Sequence, residues 1–123
     1  MYTVRKSFTF EAAHRLVKSY SKECQQVHGH SYTVEVFVTS RILNSDGMVI
    51  DFKLLGEVVE PLIARWDHEC LIAGKNITFN PTAENMALYL WRCIRKAKCI
   101  DLDSMSIKVR VHETATGWAE HSA

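Results

Sequence analysis

The stretch His30-Ser31-Tyr32-Thr33-Val34-Glu35-Val36-Phe37-Val38-Thr39 decides the fold class of this chain. Its apolar and polar residues largely alternate, and a period of two is the pattern of a β-strand with one buried face. The apolar face consists of Tyr32, Val34, Val36 and Val38. The same period appears from Tyr2 to His14 and from Met105 to Val111. The sequence therefore predicts an antiparallel sheet with one covered face.

Two segments between these strands have a helical period instead. Apolar residues from Phe52 to Trp66 recur every three or four positions, and Asp51 precedes them as an N-cap. Pro61 is expected to kink or divide this helix. A second helix begins near Asn80-Pro81-Thr82, where either the first or the third residue is the N-cap.

The order of these elements indicates the architecture. A last strand is expected from Ala115 to Glu120, and residues 48–50 are a further short-strand candidate. The order ββααββ predicts an α+β domain, with a four-stranded antiparallel sheet and two helices on one face. A chain of 123 residues is expected to form a single domain, residues 1–123.

Composition and charge exclude several classes of protein. The chain has 15 Lys+Arg and 14 Asp+Glu, whereas a non-specific nucleic-acid binder is usually strongly basic. No apolar run reaches about 18 residues, so no membrane helix is predicted. The first residues lack the apolar stretch of a secretory signal, so the four cysteines are expected to be reduced and the protein cytoplasmic. So small a chain encloses little volume, and a pocket is expected to be shallow or shared between subunits.

The motif His28-Gly29-His30 is the clearest local signal of a functional site. Two histidines two apart on a strand point to the same face, and His14 shares the parity of Phe8 and Phe10. If the two strands pair, three imidazoles converge. Three neutral nitrogen ligands with an open fourth position are typical of catalytic zinc. A chance arrangement of surface histidines is the alternative.

Cys24 lies four residues before His28 and has three interpretations. It is a fourth ligand that closes a structural metal site, a thiolate whose pKa a nearby cation lowers, or a loop cysteine without a role.

The pair Asp67-His68 has two interpretations. The carboxylate orients the imidazole as a proton relay, or the two residues are neighbours whose side chains do not touch.

Glu113 continues the parity of Ile107, Val109 and Val111 and so falls on the buried face of its strand. A buried carboxylate is costly unless something pairs with it. Its two oxygens suit the parallel N–H groups of an amino-pyrimidinone ring. The alternative is a frayed strand end at which Glu113 is solvated.

Six blocks of the chain, in order, resemble the 6-pyruvoyltetrahydropterin synthase and 6-carboxytetrahydropterin synthase family. The blocks are Phe8-Thr9-Phe10-Glu11-Ala12-Ala13-His14, Cys24-Gln25-Gln26-Val27-His28-Gly29-His30, Gly47-Met48-Val49-Ile50-Asp51-Phe52, Asp67-His68 with Leu71, Asn80-Pro81-Thr82-Ala83-Glu84-Asn85, and Glu113-Thr114-Ala115-Thr116-Gly117-Trp118-Ala119-Glu120. The resemblance implies a set of site residues. They are the zinc ligands His14, His28 and His30, the catalytic residues Cys24, Asp67 and His68, the pterin anchor Glu113, and the pocket residues Thr82, Glu84 and Thr114.

One spacing separates the branches of this family. Three residues, 25–27, lie between Cys24 and the His-Gly-His motif, as is typical of the carboxy-forming branch used for queuosine and other 7-deazapurines. The resemblance thus implies zinc-dependent conversion of 7,8-dihydroneopterin triphosphate to 6-carboxy-5,6,7,8-tetrahydropterin, with release of acetaldehyde and triphosphate. The alternatives are a 6-pyruvoyltetrahydropterin synthase, which keeps the three-carbon side chain, and a non-catalytic zinc-stabilised pterin-binding module.

The resemblance also implies a quaternary structure. Relatives have the tunnelling fold, in which sheets pair into barrels as trimers and two trimers stack as a hexamer. Their active sites lie between subunits. A homohexamer with shared sites is therefore expected, and it would satisfy the open edges of the sheet in a chain too short to enclose a pterin.

Overall fold

The part of the chain that the structure describes folds into a mixed five-stranded sheet and two helices. The computed structural model describes residues 1–16 and 26–123. In chain order the elements are β1 (Tyr2–Arg15), β2 (His28–Ser40), α1 (Phe52–Ala64), β3 (Cys70–Ile72), α2 (Ala83–Ile94), β4 (Met105–His112) and β5 (Trp118–Ser122). Neither helix in these ranges is long and apolar enough to cross a membrane.

The strand order in the sheet is β3-β1-β2-β4-β5. Its four longer strands pair antiparallel, as predicted. The prediction of a four-stranded, wholly antiparallel sheet was wrong at one edge, where β3 pairs parallel to β1. Strand β3 has only three residues, which is too short for an alternation to appear in the sequence.

Three element boundaries also differ from the predictions. Residues 48–50 form no strand, because they bend into the start of α1. The last strand begins at Trp118 rather than Ala115, because a turn precedes it in which the N–H of Glu113 donates to the carbonyl of Gly117. Helix α1 is not divided at Pro61, which lies on its exposed side, where water can satisfy the carbonyl that loses its partner.

Both helices begin at side-chain caps. The carboxylate of Asp51 accepts from the backbone N–H of Lys53 at 2.8 Å, as predicted. The hydroxyl of Thr82 accepts from the N–H of Asn85 at 3.2 Å, so Thr82 rather than Asn80 caps α2. Each such cap stabilises a helix by about 1 kcal/mol.

The helices cover one face of the sheet and enclose the core. The buried residues with no exposed surface include Val34, Val36, Val38, Leu55, Val59, Met86, Leu90 and Val109. They come from β2, α1, α2 and β4, and the sheet residues among them have the parity predicted for the covered face. Burying each side chain of this size contributes about 1.5–3 kcal/mol.

The opposite face of the sheet carries an ion-pair network around Glu35. The buried carboxylate of Glu35 contacts Arg5 and His112, and Nη1 of Arg110 lies 3.8 Å from it. Nε of Arg110 also donates to Oε1 of Glu120 at 2.9 Å. Burial acts to raise the pKa of Glu35, but the hydrogen bonds from His112 and Arg5 outweigh it and hold the pKa below its ordinary value.

Replacing Glu35 by Gln is expected to lower the free energy of unfolding by about 1–3 kcal/mol near pH 7, because a hydrogen-bonded buried charge is lost. Since folding lowers the pKa of Glu35, its contribution is fully present above the ordinary value of 4.5 and is lost as the pH falls through the folded-state value. Urea titrations of both proteins at pH 7 and at several values below 4.5 measure the difference. Glu57→Gln, on the exposed side of α1, is the control. A difference that stays constant down to the lowest pH would contradict the prediction.

Candidate metal centre and active site

Three histidines converge at one end of the sheet, on the face that the helices cover. Nε2 of His14 lies 2.8 Å from Nε2 of His28 and 3.2 Å from Nε2 of His30. The ligand atoms of the three residues all lie within 4.8 Å of one another. The strand register explains the convergence, because His14 at the end of β1 stands opposite His28 at the start of β2. His30 follows on the same face two residues later.

Backbone carbonyls hold the far ring nitrogens of two of these histidines. Nδ1 of His14 donates to the carbonyl of Pro81 and Nδ1 of His28 donates to the carbonyl of Gln26, each at 2.8 Å. A carbonyl only accepts, so in the neutral rings both protons lie on Nδ1 and both Nε2 atoms carry lone pairs. Two lone pairs that face each other at 2.8 Å repel unless a cation lies between them. The arrangement therefore fits a metal ion held by imidazole nitrogens.

Burial keeps the imidazoles of His14 and His30 in the form that a metal needs. Burial lowers the pKa of His14 to about 4; the carbonyl of Pro81 opposes this effect, while repulsion from His28 and His30 adds to it. Burial also lowers the pKa of His30, against the opposing charge of Glu113. Neutral imidazole is the ligand form, and three such nitrogens with one further position suit catalytic zinc.

Glu113 lies beside the histidine cluster, directly after β4. Its Oε1 is 3.3 Å from Nε2 of His14 and 3.7 Å from Nε2 of His30. It also lies close to the buried Tyr32, whose pKa is raised by burial and, further, by the charge of Glu113. Its parity along the strand predicted that this carboxylate lies on the covered face of the sheet, and the structure agrees with that prediction. The sequence did not predict that it would touch the histidines.

The Asp67–His68 pair follows α1, at the edge that β3 forms. Oδ1 of Asp67 lies 3.0 Å from Nδ1 of His68 and accepts the backbone N–H of Glu11 at 3.0 Å. The hydrogen bond from Glu11 is the main cause of a lowered pKa at Asp67, and the contact with His68 adds to it. The imidazole of His68 is 79% exposed. An oriented carboxylate–imidazole pair of this kind can act as an acid or a base.

His68 of this pair and His30 of the histidine cluster border the same cleft. The cleft has a volume of about 550 Å³ and is lined by His30 and His68, together with Glu11, Gly29 and Glu69. Within residues 1–16 and 26–123, neither member of the pair forms a hydrogen bond or ion pair with the three histidines. The imidazole of His68 is thus open to a molecule in the cleft or to a second chain.

The remaining predicted site residues lie at the ends of elements. The hydroxyl of Thr82 is used as the cap of α2, and Glu84 is exposed in the first turn of that helix. Oγ1 of Thr114 accepts from the N–H of Gly117 at 3.1 Å, within the turn after Glu113. Cys24 lies outside the described residues. The binding and catalytic roles of these residues stay predictions.

Two residues that orient His14 were missed by sequence reasoning. The hydroxyl of Tyr32 lies 3.0 Å from Nδ1 of His14, beside the carbonyl of Pro81. Tyr32 was assigned to the core, although its parity with His28 and His30 was a usable signal. Pro81 acts through its backbone carbonyl, a group that every residue carries, so the sequence held no signal for it.

A family model described as 6-pyruvoyl tetrahydropterin synthase matches residues 3–123, and the chain belongs to this family. A relative from Synechocystis sp., named 6-carboxy-5,6,7,8-tetrahydropterin synthase, is 34% identical over 126 residues, which cover 98% of this chain and 93% of the relative. A relative of the same name from Rickettsia typhi is 30% identical over 129 residues, covering 90% and 93%. The predicted family is confirmed.

A solved structure has the same fold. The Caenorhabditis elegans 6-pyruvoyl tetrahydropterin synthase superimposes with a TM-score of 0.80 at 24% identity, covering 99% of this chain and 95% of that one. At this identity the likeness concerns the fold alone. The predicted tunnelling fold is confirmed in its overall architecture. The correction is strand β3, which was not predicted.

Replacing His28 by Ala is expected to weaken zinc binding by about 100-fold or more, because one of three nitrogen ligands is lost. His28 is only half-buried at the start of β2, so the fold is expected to survive. Competition with a chromophoric chelator measures the affinity. His68→Asn is the matched control, since it removes an imidazole outside the cluster and Asn tolerates the φ of 61° at that position. Equal zinc affinity in the wild type and the His28→Ala protein would show that this cluster does not hold the ion.

Proposed function

We propose that this chain is a zinc-dependent 6-carboxy-5,6,7,8-tetrahydropterin synthase, a cytoplasmic enzyme of queuosine and 7-deazapurine biosynthesis. The reaction converts 7,8-dihydroneopterin triphosphate to 6-carboxy-5,6,7,8-tetrahydropterin and releases acetaldehyde and triphosphate. One observation carries the proposal: three imidazoles meet at one end of the sheet, with the carboxylate of Glu113 beside them, in a chain of this family.

His14, His28 and His30 would hold the zinc ion through their Nε2 atoms. Zinc supplies Lewis-acid stabilisation of the negative charge that develops on substrate oxygen atoms. The carbonyls of Pro81 and Gln26 fix the rings of His14 and His28, which keeps both nitrogens aimed at one point.

Glu113 would bind the pterin head of the substrate. A carboxylate accepts two parallel N–H bonds, and the pterin offers such a pair at its 2-amino group and the adjacent ring N–H. Oε1 of Glu113 lies 3.3 Å from Nε2 of His14, beside the proposed zinc site. Thr82, Glu84 and Thr114 complete this pocket in the proposal.

Cys24 and His68 would move the protons. The thiol of Cys24 is proposed as the base on the substrate side chain, since a nearby cation favours its thiolate form. His68, oriented by Asp67 at 3.0 Å, is the second acid–base group. Triphosphate leaves from C3′, one water molecule is added, and cleavage of the bond between C1′ and C2′ then releases C2′ and C3′ as acetaldehyde, with C1′ left as the carboxyl carbon.

The proposal includes a shared active site in a homohexamer built from two trimers. His68 is exposed at the β3 edge of its own chain, where a second chain can approach it. In the described sheet, β3 and β5 each have only one neighbouring strand, so both edges are open to pairing between chains.

The carboxy-forming reaction is favoured over the pyruvoyl-forming one by two observations. Curated relatives at 30% and 34% identity carry the name of the carboxy-forming enzyme. The three-residue spacing between Cys24 and His28 is also typical of that branch. The pyruvoyl synthase remains the second candidate, because the family model that matches residues 3–123 is described by that name.

Incubation of the zinc-loaded protein with 7,8-dihydroneopterin triphosphate is expected to give acetaldehyde and 6-carboxy-5,6,7,8-tetrahydropterin in equal amounts. Mass spectrometry of the pterin product and a coupled assay for acetaldehyde measure both. A product that keeps its three-carbon side chain, without acetaldehyde, would identify the pyruvoyl synthase. Tight binding of a pterin with no turnover would identify a non-catalytic zinc-stabilised module.

Replacing Cys24 by Ala is expected to lower kcat by about 100-fold or more, because a general base is lost, while one zinc ion per chain is retained. Turnover and metal content measured on the same sample separate the two properties. Cys99→Ala, at a free and partly buried cysteine, is the control. Loss of zinc from the Cys24→Ala protein would instead make Cys24 a ligand and remove it from the proposed chemistry.

A further inference from the structure

Glu113 lies just beyond the last paired residue of β4. That residue is His112, which stands opposite Thr33 of β2 and Trp118 of β5. On one side the backbone of Glu113 is held by the turn, because its N–H donates to the carbonyl of Gly117 at 3.1 Å. On the other side it continues directly from His112. The direction of the Glu113 carboxylate therefore depends on how firmly His112 is fixed.

The side chain of His112 is fixed on the opposite face of the sheet. Its Nε2 donates to Oε1 of Glu35, whose side chain is only 10% exposed. Nε of Arg5, on β1, donates to Oε2 of the same carboxylate. Hydrogen bonds to an ionised acceptor are about twice as strong as neutral ones. The carboxylate of Glu35 thus ties the end of β4 firmly to β1 and β2.

The alternation of side chains along β4 links this contact to the candidate site. Neighbouring residues of a strand point to opposite faces, so a rotation of the strand that moved the ring of His112 would also turn the carboxylate of Glu113. That carboxylate lies 3.3 Å from Nε2 of His14, beside the proposed zinc site. Two parallel N–H bonds require a carboxylate that is aligned with the two donors. A small rotation would therefore break one of the two bonds.

We propose that His112, held by Glu35, is a positioning residue for Glu113 and sets the affinity of the pterin anchor from the opposite face of the sheet. This role rests on the proposed function, because it takes Glu113 as the residue that binds the pterin head. The ion-pair network around Glu35 then has a second task besides the stability of the sheet, which is to keep a carboxylate on the other face aligned.

Replacing His112 by Leu tests this role, because Leu fills much of the same space without an N–H to donate. A cavity of about 500 Å³ borders His112 and Glu35, so the change leaves the apolar core untouched. The probe is pterin, the ring without a side chain, and its fluorescence reports binding. The His112→Leu protein is expected to bind pterin about tenfold more weakly than the wild type, since one of two N–H bonds to a charged acceptor is lost.

Two further variants separate positioning from a general loss of stability. His112→Gln keeps an N–H at the same number of bonds from the backbone as Nε2 of His112, so its pterin affinity is expected within about twofold of the wild type. Lys108→Gln removes a contact of 3.9 Å with Glu120 on the same strand, and it is expected to match the wild type. A Lys108→Gln effect as large as that of His112→Leu would overturn the positioning role. So would a His112→Gln protein that binds pterin as weakly as the Leu variant.

Steady-state kinetics with 7,8-dihydroneopterin triphosphate provide a second readout. The His112→Leu change is expected to raise KM about tenfold and to leave kcat and zinc affinity within about twofold, because it alters alignment of the pterin head and no metal ligand or acid–base group. A lowered kcat at an unchanged KM would contradict this role.

A double-mutant cycle tests the link to Glu35. The neutral Glu35→Gln side chain accepts a weaker hydrogen bond, so it is expected to weaken pterin binding about threefold in the wild type and to have no further effect in the His112→Leu protein. An equal effect in both backgrounds would show that Glu35 does not act through His112 and would overturn that link.

The positioning role and the proposed function fail in different ways. Equal pterin affinity in the wild type and the Glu113→Gln protein would refute the anchor and, with it, the positioning role. Weaker pterin binding in the Glu113→Gln protein but not in the His112→Leu protein would refute the positioning role alone. Absence of acetaldehyde together with the expected pterin affinities would refute only the proposed reaction.

Discussion

The pairing register of β1 with β2 is the constraint on which the candidate site depends. It sets His14 opposite His28, and a slip of one residue would turn every side chain of one strand to the other face. The core holds the register: Phe10 stands opposite Tyr32, and their rings stack with centroids 4.8 Å apart on the covered face. Apolar packing in the middle of two strands thus determines where three imidazoles meet at their ends.

The same sheet carries a polar cluster on each face, and the two clusters differ in whether their charges are balanced within the chain. Around Glu35 the charges balance within the chain, because Arg5, Arg110 and His112 supply the donors. Around His14 the lone pairs of His14 and His28 face each other, and the carboxylate of Glu113 adds a further acceptor beside them. A balanced network stabilises a fold without any ligand, whereas a cluster of acceptors is stable only with a cation. This difference, rather than the number of histidines, distinguishes the functional end of the sheet.

Most of what the sequence could predict about the site came from strand parity, the alternation of side-chain direction along each strand. It placed the three histidines and Glu113 on the covered face, because side-chain direction alternates strictly along a strand. It could not reveal β3, whose three residues are held by pairing with β1 rather than by any pattern of their own. Nor could it reveal the carbonyl of Pro81, since that contact arises where the segment before α2 meets the end of β1. Contacts that backbone groups make between distant segments do not depend on residue type, so the sequence carries no pattern that predicts them.

The two parts of the candidate site differ in how far their side chains are buried. His14 has no exposed surface, so its neutral state and its orientation are fixed within one chain. His68 is 79% exposed, and an acid–base group in bulk water lacks the dry, fixed surroundings that make proton transfer efficient. In the part of the chain that the structure describes, both helices pack on the core and leave the imidazole of His68 exposed. The exposure of His68 is the physical reason for proposing that a second chain covers it in a shared active site.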